Sequence, residues 1–293
     1  MPWSRSLRGD MKADGDGIAT LLFRSAPQAE VPSPAWLQSF ARQLDEALAT
    51  DARGVLIAIG DDSARISSEG AESSRGSVSS GQRADEVFAR GREYAGLLRR
   101  LETCGRPVVA AIGSHAVGTL FELMMACRYR VISDHPGIRV GLGWSGIGLL
   151  SLAGSTQRLP RLAGVAKALP LLLQASLVTP QMARQLGIVD ELVPPGEVRA
   201  AARRHLLGQP ERACGWDRPG YRVPGGSAVA SPPLGFELAA ATARAAMHRG
   251  PRLSPEICVL SAVFEGIQVP FDLGLRLEGK HLGRLQKAGV TPR

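Results

Sequence analysis

Lysine is nearly missing from this chain of 293 residues. Lys12, Lys167, Lys280 and Lys287 are all of it, and arginine supplies the rest of the 35 basic side chains. Against 27 acidic residues the formal net charge is +8, yet no block of five like charges occurs and basic residues cluster no more densely than in pairs such as Arg203–Arg204. Proteins that hold nucleic acid gather positive charge into a footprint, so this dispersal argues against that class of partner. Cysteine is scarce too. Cys104, Cys127, Cys214 and Cys258 lie far apart without a CxxC pair. That pattern excludes a zinc-finger type of metal site and a disulfide framework, and it suits a reducing cytoplasm. The opening MPWSRSLRGD lacks the apolar core of a secretory signal. The longest apolar run, 107–127, has the length of a membrane span, but Pro107, Gly113, His115, Gly118 and Glu122 interrupt it. It reads as a buried strand, a turn and a buried helix. No internal repeat is visible.

The composition, 44% hydrophobic and 21% charged, is that of an ordinary globular protein. Two short, continuous apolar runs, RGVLIAIG (53–60) and RPVVAAIG (106–113), have the character of strands buried on both faces. GIATLLF (17–23), RYRVIS (128–133) and IVDELVP (188–194) are further strands. Apolar residues at helical spacing mark 34–51 (Trp36, Leu37, Phe40, Leu44, Leu48) and 84–104 (Val87, Tyr94, Leu97, Leu98, Leu101). A helix also follows Thr179–Pro180 and stops at Gly187. Strand and helix in alternation predict an α/β domain with parallel pairing. The Ser/Gly-rich stretch 67–82 reads as a loop, 209–234 as a Pro/Gly-rich linker, and 235–288 as helical again.

Glu122 is the only formal charge between Arg106 and Arg128. A carboxylate in an apolar run costs several kcal/mol unless it finds a partner, takes up a proton or does chemistry. It sits one turn into a helix that follows a strand and the small-residue turn SHAVGT. The head of such a helix offers backbone N–H groups, and two of these from separate loops can hold a developing oxyanion. Glu122 beside them is placed as a general acid or base. Two weaker motifs carry little. Gly141, Gly143 and Gly146 spell GxGxxG, but no acid that could bind a ribose occurs between Asp134 and Asp190. GWSGI is not a GxSxG elbow, because Ile147 stands where the last glycine belongs.

The stretch RPVVAAIGSHAVGTLFELMMACRYRV, followed by STQRLPRLAGVAKALPLLL and TPQMARQLGIVDELVP, resembles the crotonase (enoyl-CoA hydratase/isomerase) superfamily. GWDRPGYRVPGG (215–226) and AVFEGIQVPFDLGLRLE (262–278) are similar to the linker after the hydratase half of multifunctional fatty-acid oxidation proteins. The dehydrogenase that follows in those proteins is expected to be absent here. The resemblance implies a ββα spiral core with a C-terminal helical region. It divides the chain into an extension (1–14), an acyl-CoA-binding core (15–205), a linker (206–234) and a helical segment (235–293). It further implies an acyl-CoA thioester as substrate or ligand, no other cofactor and no metal. A trimer or hexamer, or an assembly with a fatty-acid oxidation enzyme, is expected.

By the same resemblance Glu122 takes the place of the first hydratase glutamate, and Thr119 that of one oxyanion-hole donor through its backbone N–H. The other donor falls on Ile66 or, with a gap, on Gly70–Ala71. Gly118, Gly143 and Trp144 fall on the substrate pocket. Trp144 stands where the second hydratase glutamate is usual and Gly143 where proline is usual. Thr119 and Leu120 replace family glycines, and their Cβ atoms crowd the thioester's approach. Without the second carboxylate, ordinary hydration is expected to be weak or absent. His115 reads as a structural histidine. Arginines near the 67–82 loop, such as Arg65, Arg75 and Arg83, could meet the CoA phosphates, with solvated arginines as the default reading.

Overall fold

A computed structural model of the chain describes residues 14–23, 32–60, 84–143, 153–208, 212–226, 235 and 254–287. Among these the strands are β1 (Ile18–Phe23), β2 (Gly54–Ile59), β3 (Val108–Ile112), β4 (Ala116–Val117), β5 (Tyr129–Ser133), β6 (Val140–Gly141), β7 (Leu177–Val178) and β8 (Glu191–Val193). The helices are α1 (Pro34–Ala49), α2 (Ala84–Glu102), α3 (Thr119–Met125), α4 (Ser155–Ala163), α5 (Val165–Gln174), α6 (Pro180–Leu186), α7 (Val198–Leu207), α8 (Pro255–Gly266) and α9 (Phe271–Lys287).

Five strands form one sheet in the order β1-β2-β3-β5-β8, and every neighbouring pair runs parallel. Parallel neighbours need a crossover, which puts helices on the sheet faces and buries the strands on both sides. This explains why β2 and β3 are apolar and buried at every position. Val55, Ile57 and Ile59 face one cluster with Leu37, Phe40 and Leu44 of α1 and Tyr94, Leu98 and Leu101 of α2. Leu56, one residue out of phase, faces a second cluster with Val198, Ala201 and Leu206 of α7. Phe23, Trp36, Phe40 and Tyr94 pack ring to ring within the first cluster, with centroids 5.4–6.3 Å apart. Ser33 caps α1 by accepting the Trp36 N–H at 3.2 Å, and Pro34 opens the helix with a φ already suited to it.

A second small sheet was not expected from the sequence. β4 pairs parallel with β6, and β6 antiparallel with β7. Each strand is two residues long, too short to leave a period. Gly141 allows it: its φ is +151°, and a side chain there would run into the Ser176 carbonyl.

α8 and α9 lie against each other and against α4. The stretch 212–226, expected to be an aperiodic linker, is held by side chains. Trp216 stacks on Phe271 of α9 with centroids 5.1 Å apart, and Tyr221 donates its hydroxyl to the Arg161 carbonyl at 2.5 Å. Arg99 of α2 bridges Asp217 and Asp272, both at 2.6 Å. No helix among the described residues is long and apolar enough to cross a membrane. The predicted loop 67–82 lies outside the described residues.

Candidate active site

The chain leaves β3, passes through β4 and enters α3. Gly118 caps α3 with φ +59° and ψ −119°, a conformation that a side chain would strain. Thr119 is the first helical residue. Tyr94 of α2 donates its hydroxyl to the Thr119 carbonyl at 2.7 Å and so fixes the first turn. Glu122 follows, only 3% exposed, and its Oε1 accepts the Ser155 hydroxyl at 3.0 Å. The carboxyl therefore has a partner, and that partner opens α4.

α4 is a buried helix made largely of polar residues. Ser155, Thr156, Gln157 and Arg158 are each fully buried. Buried polar groups demand partners, and each of these has one. Ser155 reaches Glu122. Thr156 donates its N–H to Glu278 at 3.1 Å, and its hydroxyl to the same oxygen. Gln157 donates to the Ala262 carbonyl of α8 at 2.9 Å. Arg158 holds Glu102 of α2 through Nε at 2.6 Å and Nη2 at 3.1 Å. The motif STQR is thus a set of four ties that join α3, α2 and the C-terminal helices.

Glu278 of α9 is a second buried carboxyl at the same helix head. Its Oε1 accepts the Gly154 N–H at 2.7 Å. Burial, with the charge of Glu122 adding to it against the Thr156 hydrogen bond, pushes its pKa up to about 7. Burial alone would lower the Arg158 pKa, but the charge and hydrogen bonds of Glu102 hold it above the usual arginine range. Burial, followed by the charge of Glu122, keeps the Tyr94 phenol protonated well above its ordinary range.

Of the residues expected at the site, the structure brings Gly118, Thr119 and Glu122 together on one turn of α3. Gly143, two residues beyond β6, is buried with φ +68° and donates its N–H to the Ala175 carbonyl at 3.2 Å. Trp144, Ile66, Gly70, Ala71, Arg65, Arg75 and Arg83 lie outside the described residues. His115 accepts the Arg139 N–H on Nδ1 at 3.1 Å, which ties the β3–β4 turn to the residue just before β6. Arg130 binds Asp190 at 2.7 Å. Reading along the chain missed Ser155, Tyr94 and Glu278. Nothing local marked Glu278, because its partners lie more than a hundred residues away in sequence. Among the described residues no cluster of His, Cys, Asp and Glu could hold a metal ion.

Residues 46–209 match the family model described as Enoyl-CoA hydratase/isomerase. The chain belongs to the enoyl-CoA hydratase/isomerase family. It is 34% identical over 197 residues to a peroxisomal fatty acid beta-oxidation multifunctional protein of Arabidopsis thaliana, covering 65% of this chain and 26% of that one. It is 32% identical over 204 residues to a fatty acid oxidation complex subunit alpha of Vibrio vulnificus, covering 69% of this chain and 28% of the relative. The chain thus spans little more than a quarter of the length of these relatives. Among solved structures, an enoyl-CoA hydratase of Mycobacterium avium subsp. paratuberculosis superposes with a TM-score of 0.60 at 16% identity, over 97% of this chain and 94% of that one. One from Bacillus anthracis gives 0.55 at 20% identity, over 94% and 95%. These likenesses establish the crotonase fold.

Proposed function

We propose that this protein acts on an acyl-CoA thioester through enolate chemistry, with Glu122 as its acid or base and without the second carboxylate of a hydratase. The observation that carries the reading is the buried Glu122 carboxyl on the first turn of α3, held by Ser155, in a chain of this family. A carboxylate so placed can move a proton at the carbon beside a thioester, while backbone N–H groups take the charge on its oxygen. Thr119 and Ile66 are the donors we assign, with Gly118, Gly143 and Trp144 lining the pocket. With Trp144 where the second acid is usual, one-base proton transfer such as isomerisation is favoured over addition of water. Association into a trimer, a hexamer or a complex with a fatty-acid oxidation enzyme belongs to the same proposal. So does a cytoplasmic setting, in which the four free thiols persist.

A second reading is favoured by the burial of Glu122 at 3% exposure: a non-catalytic subunit whose glutamate serves only to tie α3 to α4. One experiment separates the two. Purified protein is given crotonyl-CoA, and loss of the conjugated enoyl thioester is followed beside Glu122→Gln. Slow turnover that the variant abolishes supports the acyl-CoA enzyme. No turnover in either, with co-purification of an oxidation enzyme, supports the subunit. A rate typical of two-carboxylate hydratases would overturn the assignment of Glu122 as sole acid or base.

A further inference from the structure

We propose that Glu278, on the C-terminal helix α9, is a positioning residue of the Glu122 site: it anchors the head of α4 and so holds the Ser155 hydroxyl on the Glu122 carboxyl. The proposal rests on the reading of Glu122 as the group that moves the proton. It makes the C-terminal helical segment part of the site, although no residue of that segment need touch substrate.

The geometry is a short relay. Gly154 and Thr156, the residues on either side of Ser155, are both tied to Glu278. Oε1 accepts the Gly154 N–H at 2.7 Å, and Oε2 accepts the Thr156 N–H at 3.1 Å together with the Thr156 hydroxyl. Ser155, between the two, donates to Glu122 at 3.0 Å. The turn has little freedom otherwise. Gly154 has φ +95°, and a side chain there would collide with Arg158 and with Leu275 of α9. A negative group at the head of a helix is also well placed against the helix dipole. Glu278 is 2% exposed, so these donors, rather than water, satisfy it.

The link is electrical as well as mechanical. The groups bearing on Glu278 are Glu122 of α3, which raises its proton affinity, and Thr156 and Arg158 of α4 with Gly154 at its cap, which lower it. Behind them, on α2, Tyr94 feels the charge of Glu122, and Glu102 pairs with Arg158. Burial and Glu122 together bring Glu278 to titrate at about 7. The hold on the α4 head, and the field on Glu122, therefore change near neutral pH.

The test uses the full chain labelled with carboxyl-13C glutamate and titrated by NMR without ligand. Resonances are assigned by loss in Glu278→Gln and Glu122→Gln. The expected result has three parts. One carboxyl titrates near 7 and vanishes in Glu278→Gln; its midpoint falls in Glu122→Gln; and the Glu122 resonance moves in Glu278→Gln. Thr156→Val keeps the Glu278 carboxyl, removes one donor and serves if the first variant does not fold; it is expected to raise the Glu278 midpoint and to move the Glu122 resonance. A Glu122 resonance unchanged in both variants would overturn the proposal. In a parallel arm, crotonyl-CoA turnover in Glu278→Gln is expected to fall about tenfold in kcat with KM unchanged. Equal loss in kcat and gain in KM would overturn the positioning role. No turnover in the unmodified protein, with the NMR coupling intact, would remove the acyl-CoA reading and leave the tie between the two glutamates standing.

Discussion

The Ser155 hydroxyl donates to the Glu122 carboxyl across 3.0 Å, and both groups are buried. A hydrogen bond to a charged group contributes about 1.5–3 kcal/mol, and removing one partner leaves the other with its desolvation cost. Ser155→Ala is expected to lower the unfolding free energy by about 2 kcal/mol. Urea denaturation of the variant measures it. A loss below about 0.5 kcal/mol would mean that Glu122 does not depend on this donor.

The Arg158–Glu102 pair is fully buried, with two hydrogen bonds between the partners. Such a pair contributes little net stability, but breaking it from one side leaves an uncompensated charge. Glu102→Gln is therefore expected to cost about 3–5 kcal/mol. The double variant Glu102→Leu, Arg158→Met is expected to cost less than the sum of the singles. Additivity in a double-mutant cycle would refute the coupling.

Glu278 sets a pH dependence of unusual sign. Its folded pKa, about 7, lies above the ordinary 4.5 of a glutamate, because burial disfavours the charged form. The folded state then binds this proton more tightly than the unfolded chain does. Its contribution is fully present below pH 4.5 and is lost as pH rises through about 7. The shift corresponds to about 3 kcal/mol. Stability of the unmodified protein minus that of Glu278→Gln is expected to fall between pH 5 and 7.5, as measured by urea midpoints. A flat difference would show that Glu278 stays ionised.

Two of the three tyrosines, Tyr94 and Tyr221, are predicted to resist alkali. Burial, then Glu122, raises Tyr94; burial, then Glu191, raises Tyr129; and burial pushes Tyr221 to about 12. Absorbance titration is expected to show no more than one phenolate at pH 10.5, with Tyr94 and Tyr221 still protonated, while circular dichroism remains native. Above the ordinary value of 10, the unfolded chain ionises and the folded one does not, so stability falls with further rise in pH. More than one phenolate at pH 10.5 in the folded protein would contradict the shielding of Tyr94 and Tyr221.

Much of the fold is legible in residue order. β2 and β3 declare themselves because a strand buried on both faces must be apolar throughout, and Ser33–Pro34 announces α1 by a cap and a ready-made φ. β4, β6 and β7 leave no trace, since a two-residue strand has no period and its pairing depends on segments far away in the chain. The candidate site divides in the same way. Glu122 stands out as one charge in an apolar run, and Gly118 as the glycine at a helix head. Ser155 and Tyr94 do not, because a serine at a helix start and a tyrosine in a helical stripe are ordinary until their partners are known.

The order of residues alone carried the resemblance to the family, in its motifs, and the parallel sheet and the lone glutamate of α3, because local periodicity and a single charge in an apolar run are properties of neighbours. It also showed that no acid lies between Asp134 and Asp190. Only the tertiary structure decided that a second carboxyl nonetheless reaches the head of α4, from Glu278 at the far end of the described chain. The reason is physical. Which buried donor meets which buried acceptor is set by how α9 closes over α4, and no spacing within either helix encodes that meeting.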